Sequence, residues 1–485
     1  MVSVSTQIQR NGELEAMRTG GWTAGESTDS VDVTIVIATC NRRELLEQTL
    51  KSLCCLEVPT GLQTEVIVCD DGSSDDTLSL IKGFENCLNL RFCYQPDKGY
   101  RPAAARNMGI NLAKGRLILT LDSGVLAAPA LLKEHLSVHG AAGSPAFVIG
   151  QTCGYRTPAN DAIWTTLLAH KSKWWENILE FESLADKRTL VWESIGYRMD
   201  RLTVPWAHGW GNNVSMPRDA LLAVGGYDES IVGWGPEDVD LACRLHAEGL
   251  QFHVSREALT LHLPHDPPPH ARGPLAGIQN KWRIHAKVPG LATELLPCFY
   301  TQVYSERFDE VLDVIHQSLI PDYIDLWNEK FQQDLKLSVN GSTYILGAGL
   351  GDVANALSCL WMGDPDERKV RYAQSRYRWL EAHCCIGVNT GLASKIGGTA
   401  IITDYWRALP DSVVLNVLKE ANRIARRVWI MYTEDFDVVR VQSAPAWNPE
   451  RLAQLLIETG MNLAEIPLKG PTTIYSITQS HNFRT

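Results

Sequence analysis

No apolar run in this chain approaches the roughly 20 residues that a membrane span requires, so no transmembrane helix is expected. No CxxC pair occurs among its twelve cysteines, which removes the usual spacing of zinc ribbons and dithiol redox sites. Cys54/Cys55 and Cys384/Cys385 are sequence neighbours, and neighbours rarely bridge each other. Free thiols in a reducing cytoplasm are the expectation. An excess of positive charge is missing too: the formal net charge of −11 argues against nucleic acid or an anionic membrane as partner. The opening MVSVSTQIQRNGELEAMRTGG carries acids and lacks the apolar centre of a secretory signal. Internal repeats and low-complexity tracts are also lacking. What remains is 45% hydrophobic and 21% charged, the balance of a folded globular protein. Its 485 residues suggest two to four domains at roughly 100–200 residues each.

Residues 1–30 are polar and without period, which predicts a loose arm. From Val31 the text changes. VDVTIVIAT is a continuous β-branched run, as expected of a parallel strand buried on both faces. Glu44 to Leu56 has helical spacing, TEVIVCDDG is a second buried run ending on acids, and DDTLSLIKGFEN is a helix. LRFCYQ, AAARNMGINLAKG and RLILTLDSG continue the alternation of strand and helix. That alternation predicts an open, doubly wound α/β sheet, whose ligands bind at the carboxyl ends of its strands. Asp70, Asp71 and Asp122 fall there. Residues 150–290 are Trp-, Gly- and Pro-rich; 300–335 read as helix; and STYILGAGLGDVANALSCLW opens a second α/β unit.

Three features should meet at one edge of the first sheet. Thr39, Asn41 and Arg42 follow one strand and have the chemistry to hold a base and a phosphate, while Asp70 and Asp71 follow the next and can accept from a nucleobase or ribose. Helix and turn capping is the competing role for these acids. Asp122 ends a third strand, where a carboxylate suits a divalent cation bridging two phosphates, or caps a turn. Glu237 and Asp238 open a helix whose positive end favours anions, and His262 ends the strand after it, as a metal ligand or as a structural histidine.

The run TIVIATCNRRELLEQTLKSL…EVIVCDDGSSDDT…GYRPAAARNMGINLAKGRLILTLDSG resembles the nucleotide-sugar half of a family 2 GT-A glycosyltransferase. GNNVSMPRDALLAVGGYDESIVGWGPEDVDLACRL, with LHLPH after it, resembles the acceptor half of β-1,4-galactosyltransferases and chondroitin-type polymerases. Together the likeness covers residues 31–270. It implies direct displacement with inversion at the anomeric carbon, with Asp238 as the base that takes the acceptor proton and Glu237 beside it. It places Thr39, Asn41, Arg42, Asp70, Asp71, Arg106 and Asp122 around the nucleotide, Lys98 and Arg101 near the diphosphate, and Trp234 and Asp240 on the acceptor. It implies a divalent metal, Mn²⁺ or Mg²⁺, on Asp122 and His262. One departure stands out: the metal motif is Asp–any–Asp, and this chain has Asp122–Ser123–Gly124.

Residues 336–485, with Gly347–Ala–Gly349–Leu–Gly351 between strand and helix, resemble a class I methyltransferase. The acid expected after its second strand is not evident, since Asp364 and Asp366 stand too early in the sequence. The reading is an α/β chain in four parts: an arm, 1–30; a GT-A, Rossmann-like and mostly parallel domain, 31–290; a helical linker, 291–335; and a smaller methyltransferase-like Rossmann domain, 336–485. The implied donor is a nucleotide sugar, UDP by resemblance, and the acceptor a soluble small molecule or peptide. The last domain is read as non-catalytic, S-adenosylmethionine not being favoured as its cofactor, and as positioning the acceptor or mediating homodimerisation. A bifunctional glycosyl- and methyltransferase and a nucleotide-sugar-binding pseudo-enzyme are the alternatives.

Overall fold

The computed structural model describes residues 22–23, 31–155, 178–233, 235–265, 274–299, 306–317, 327–339, 341–434 and 446–479, with residues 157, 158, 161, 163, 164, 167 and 173–176 besides. It divides into two compact units, Met1–Val288 and Pro289–Thr485. No described helix is long and apolar enough to cross a membrane. All twelve cysteines are free.

The first unit is built on a nine-stranded sheet of β1 (Trp22–Thr23), β2 (Val33–Thr39), β3 (Thr64–Asp70), β4 (Leu90–Tyr94), β5 (Leu117–Asp122), β6 (Val125–Ala127), β7 (Ala146–Cys153), β8 (Asn213–Pro217) and β9 (Gln251–His262). Its order is β1-β4-β3-β2-β5-β8-β7-β9-β6. Strands β4, β3, β2 and β5 are mutually parallel. Val33, Ile35 and Ile37 on one face of β2 pack with Val66, Val68, Leu119 and Leu121, under Leu46, Leu50 and Leu53 of the helix Arg43–Leu53. Each such side chain contributes about 1.5–3 kcal/mol on burial. The opposite face carries the helix Pro102–Leu112, which lies close enough that a Cβ on Gly109 would stand 2.4 Å from the Cys69 sulfur. With both faces covered, these strands have no polar side to show, which is why they read as unbroken apolar runs.

Beyond β5 the sheet is mixed rather than mostly parallel. Strand β8 runs antiparallel to β5 and β7, β9 parallel to β7, and β6 antiparallel to β9. Only Ser123 and Gly124 separate β5 from β6, yet β6 closes the far end of the strand order. The sheet therefore curls until its last strand starts beside β5. Of the arm expected over 1–30, Trp22–Thr23 pairs antiparallel with β4, and the rest lies outside the described residues.

The second unit holds β10 (Thr343–Leu346), β11 (Trp361–Asp364), β12 (Glu381–Cys384), β13 (Thr399–Ile402), β14 (Arg427–Tyr432), β15 (Met461–Ile466) and β16 (Thr473–Gln479), ordered β12-β11-β10-β13-β14-β16-β15. The first five are parallel and β16 is antiparallel to both neighbours. Helices Leu291–Leu295, Glu306–Gln317 and Glu329–Ser338 precede them. One sequence expectation is corrected here. Asp364 does not come too early, because it ends β11, the second strand of the unit. The crossover helix Asp352–Ala356 has only five residues, so the strand arrives sooner than a full-length helix would allow.

Candidate active site

In the first sheet β2 leads to β3 and β4 on one side, and β5 lies on the other, so the chain switches direction between β2 and β5. Such a switch leaves a crevice at the carboxyl ends of the strands. The register places Thr39 opposite Asp70 and Ala38 opposite Asp122 at this edge. A cleft of about 510 Å³ opens there, lined among others by Thr39, Arg42, Asp71, Tyr100, Arg106 and Asp122. Among the described residues the buried Thr39 hydroxyl has no hydrogen-bond partner, so it is available to a polar ligand.

At one end of the cleft Asp71 is held by the Arg101 backbone N–H (2.7 Å) and the Gln95 amide (2.6 Å). Burial nevertheless raises its pKa, against the pull of those donors. Asn41 also lines the cleft, in a left-handed conformation (φ 50°), and its side-chain oxygen accepts from the backbone N–H of Ser74 at 2.7 Å.

At the other end one guanidinium ties the elements together. Arg106, in the helix Pro102–Leu112, donates to Asp122 at 2.8 Å and to Glu237 at 2.9 Å, and lies over the Tyr227 ring. Burial pushes the Asp122 carboxyl up, but the charge and hydrogen bond of Arg106 outweigh it and hold the pKa below its ordinary value. Asp238 opens the helix Glu237–Ala247 and accepts from the Gly211 backbone N–H at 3.1 Å. A Cβ on Gly211 would meet Asp238, the Tyr227 hydroxyl and the Arg106 guanidinium at 3.5–3.7 Å, so these groups converge on one point of backbone. Burial, reinforced by the neighbouring Glu237 carboxylate, raises Asp238 to about 7. A base with that pKa is half ionised near neutrality, which suits proton abstraction.

Several expected site residues are placed elsewhere. Asp240 is fully buried, and its carboxylate is taken by Arg244 (2.7 Å) and Lys287 (2.6 Å), so it holds helices together and cannot reach an acceptor. Asp70 is also buried, accepts from the Ser73 N–H at 2.8 Å, and caps the turn after β3 without lining the cleft. Arg101 spends its guanidinium on Asp71 and the Pro96 carbonyl. Lys98 is exposed, and neither it nor Arg101 lines the cleft. Trp234 lies outside the described residues.

Burial lowers His262 to about 4, with His265 adding to the effect. The rings of His262 and His265 stack at 5.0 Å, and His265 is the one that lines the cleft. Sequence reasoning singled out only the first histidine of LHLPH; a spacing of three residues past a strand end was the available signal for the second. Tyr100, also missed, lines the cleft beside Pro102 and has its phenol pKa raised by burial. An aromatic in a glycine-flanked loop gives no such signal in sequence.

Comparison with known proteins bears on this unit. Residues 34–199 match the family described as Glycosyl transferase family 2, and residues 197–266 match the N-terminal domain of galactosyltransferase. Validoxylamine A glucosyltransferase of Streptomyces hygroscopicus subsp. jinggangensis is 35% identical over 237 residues, which are 48% of this chain and 56% of that protein. Chondroitin synthase of Escherichia coli is 29% identical over 242 residues, 47% of this chain and 34% of that one. The chain thus spans about half the length, or less, of these curated relatives. Among solved structures, S. aureus TarS 1–349 in complex with UDP-GlcNAc aligns with a TM-score of 0.44 at 13% identity, over 86% of this chain and 99% of that one.

Proposed function

We propose that the first unit is an inverting glycosyltransferase that moves a sugar from a nucleoside diphosphate, UDP in the first instance, to a hydroxyl of a soluble small molecule or peptide. The observation that carries the proposal is the Asp122–Arg106–Glu237 bridge. It joins a cleft at the sheet switch point to a carboxylate, Asp238, raised to about 7. The names of the relatives support the same reaction class.

In this reading the base and ribose lie in the cleft near Thr39 and Asp71. The acceptor oxygen attacks the anomeric carbon as its proton passes to Asp238. The bond from that carbon to the phosphate oxygen breaks on the opposite side, and the nucleoside diphosphate leaves with the electron pair. One displacement inverts the configuration.

The divalent metal implied by the resemblance does not fit these residues. Among the described residues no three His, Cys, Asp or Glu side chains gather to hold an ion. Of its two expected ligands, Asp122 is already ion-paired with Arg106, and His262 is not among the residues that line the cleft. No step is therefore routed through a metal.

The second unit is read as a methyltransferase-like fold without transfer chemistry. One observation favours the bifunctional alternative: Asp364 ends β11 beside the glycine turn after β10, where it accepts from the Gly349 N–H at 2.8 Å. S-adenosylmethionine binding by calorimetry separates the two readings. For the first unit, UDP-, GDP- and dTDP-sugars are incubated with the full chain, and release of free nucleotide is followed. Slow hydrolysis of one donor is expected. Binding without hydrolysis, with or without a panel of sugar and peptide acceptors, would support the pseudo-enzyme, and no binding at all would sink the transferase.

A further inference from the structure

The cleft has a negative excess beside its one bridging cation, and the position of the missing second metal acid explains how that must be balanced. Gly124 has φ +97°, a conformation that side chains rarely adopt, and a Cβ there would press on Leu45 at 3.3 Å. Its N–H donates to the Thr49 hydroxyl (2.9 Å) and its carbonyl accepts from Leu263 (2.9 Å). The turn is thus built as a structural joint in which a side chain would be strained. Asp122, the remaining acid, is neutralised by Arg106, and that guanidinium is in turn shared with Glu237. Arg101 is committed to Asp71.

Arg42 is different. It lines the cleft at the end of β2, is half-buried, and its side chain makes no hydrogen bond or ion pair to any described residue. It shares the cleft lining with Asp122 and Tyr100, and its charge acts on both and on His262. A half-buried guanidinium left unpaired at the mouth of an acidic cleft is poised for an anion with several oxygens in a plane.

We propose that Arg42 is the fixed cation that meets the donor's diphosphate in this chain, so that donor binding and leaving-group neutralisation proceed without a divalent metal. The inference rests on the transferase reading and goes beyond it, since that reading is indifferent to which cation serves.

The test is calorimetric titration of the full chain with UDP, GDP and dTDP and with the matching nucleosides, in EDTA and in Mn²⁺. The diphosphate that binds is expected to do so within about twofold in the two media. Arg42→Met should weaken it by about tenfold or more, the scale of a lost charge-assisted contact, while the nucleoside changes by less than about threefold. Arg42→Lys, which keeps the charge, should recover part of the loss. Tightening by Mn²⁺ of about tenfold or more, or an Arg42→Met protein that holds the diphosphate as wild type does, overturns the proposal. If Arg42→Met loses nucleoside as well and Arg42→Lys recovers nothing, the charge role is also overturned. Failure of the wild type to bind any of the three diphosphates is a different result: it removes the transferase reading itself.

Discussion

Both units end parallel strands at a switch point, and the two edges are finished in opposite ways. In the first, two polar groups are unspent among the described residues: the Thr39 hydroxyl has no hydrogen-bond partner and the Arg42 guanidinium makes no hydrogen bond or ion pair. In the second, carboxylates of the chain take up the backbone amides, and the ammonium of Lys369, whose charge acts on Asp364, has no hydrogen-bond partner among the described residues. Asp364 takes the Gly349 N–H, and Glu294, wholly buried, accepts from Ile386, Gly387, Val388 and Asn389 in the loop after β12 at 2.8–3.1 Å. Tyr405 then closes on the Ile386 carbonyl at 2.7 Å. The same topology can thus leave groups at an edge unspent or tie them up with internal carboxylates. What separates the two edges is which hydrogen-bonding groups remain unspent, and strand order does not report that.

The largest test of this contrast is Asp238→Asn. Removing the base should lower transfer by about 10²–10⁴-fold with donor affinity unchanged, measured as initial rate and as binding heat. A near-wild-type rate would show that the open edge has been matched to the wrong carboxylate. Next comes Arg106→Met, which strands two carboxylates. The loss should be about 3–5 kcal/mol, toward the lower end because the Asp122 side chain is 30% exposed, and is read from the urea midpoint.

In the second unit, Glu294→Gln keeps the shape and removes the charge. It should cost about 1.5–3 kcal/mol and expose the amides of residues 386–389 to hydrogen exchange, leaving those of 39–42 as protected as before. Unchanged protection at 386–389 would mean that the seal is not electrostatic. The smallest effect is in pH. Asp238 must be ionised to accept a proton, so kcat/KM should fall about tenfold per unit below about 7 and level off above it. Asp364, raised by burial to about 6, belongs to the second unit, and Asp364→Asn should leave that profile where it is.

The parallel half of the first sheet was legible because TIVIAT, EVIVCD and LILTLD are buried on both faces and carry no competing period. The mixed half was not, since a short strand such as Asn213–Pro217 does not announce the direction of its partner. Within the site, Asp240 was open to correction from sequence alone. Two residues along a helix are about 200° apart, so Asp238 and Asp240 cannot face one ligand, and Arg244 stands four residues on as the natural partner. Asp70 and Asp71 posed a harder problem, because adjacent acids at a strand end diverge only once the turn is known. The availability of Arg42 was invisible for a deeper reason. An absent contact is a property of every neighbouring side chain at once.

The curl that starts β6 two residues after β5 has a consequence for how the site comes into being. Asp122 is synthesised early, with the parallel strands around it, but His262 and the pairing of β9 with β6 follow about 140 residues later. At about 5–20 residues per second a nascent chain would carry the parallel half for about 7–28 seconds before the closing strand exists. Until then β6 is a bare edge and the cleft lacks its far wall. Loop closure over that span is slow relative to local pairing, so the site is completed late, and a pause or truncation before β9 leaves the first sheet without its closing strand.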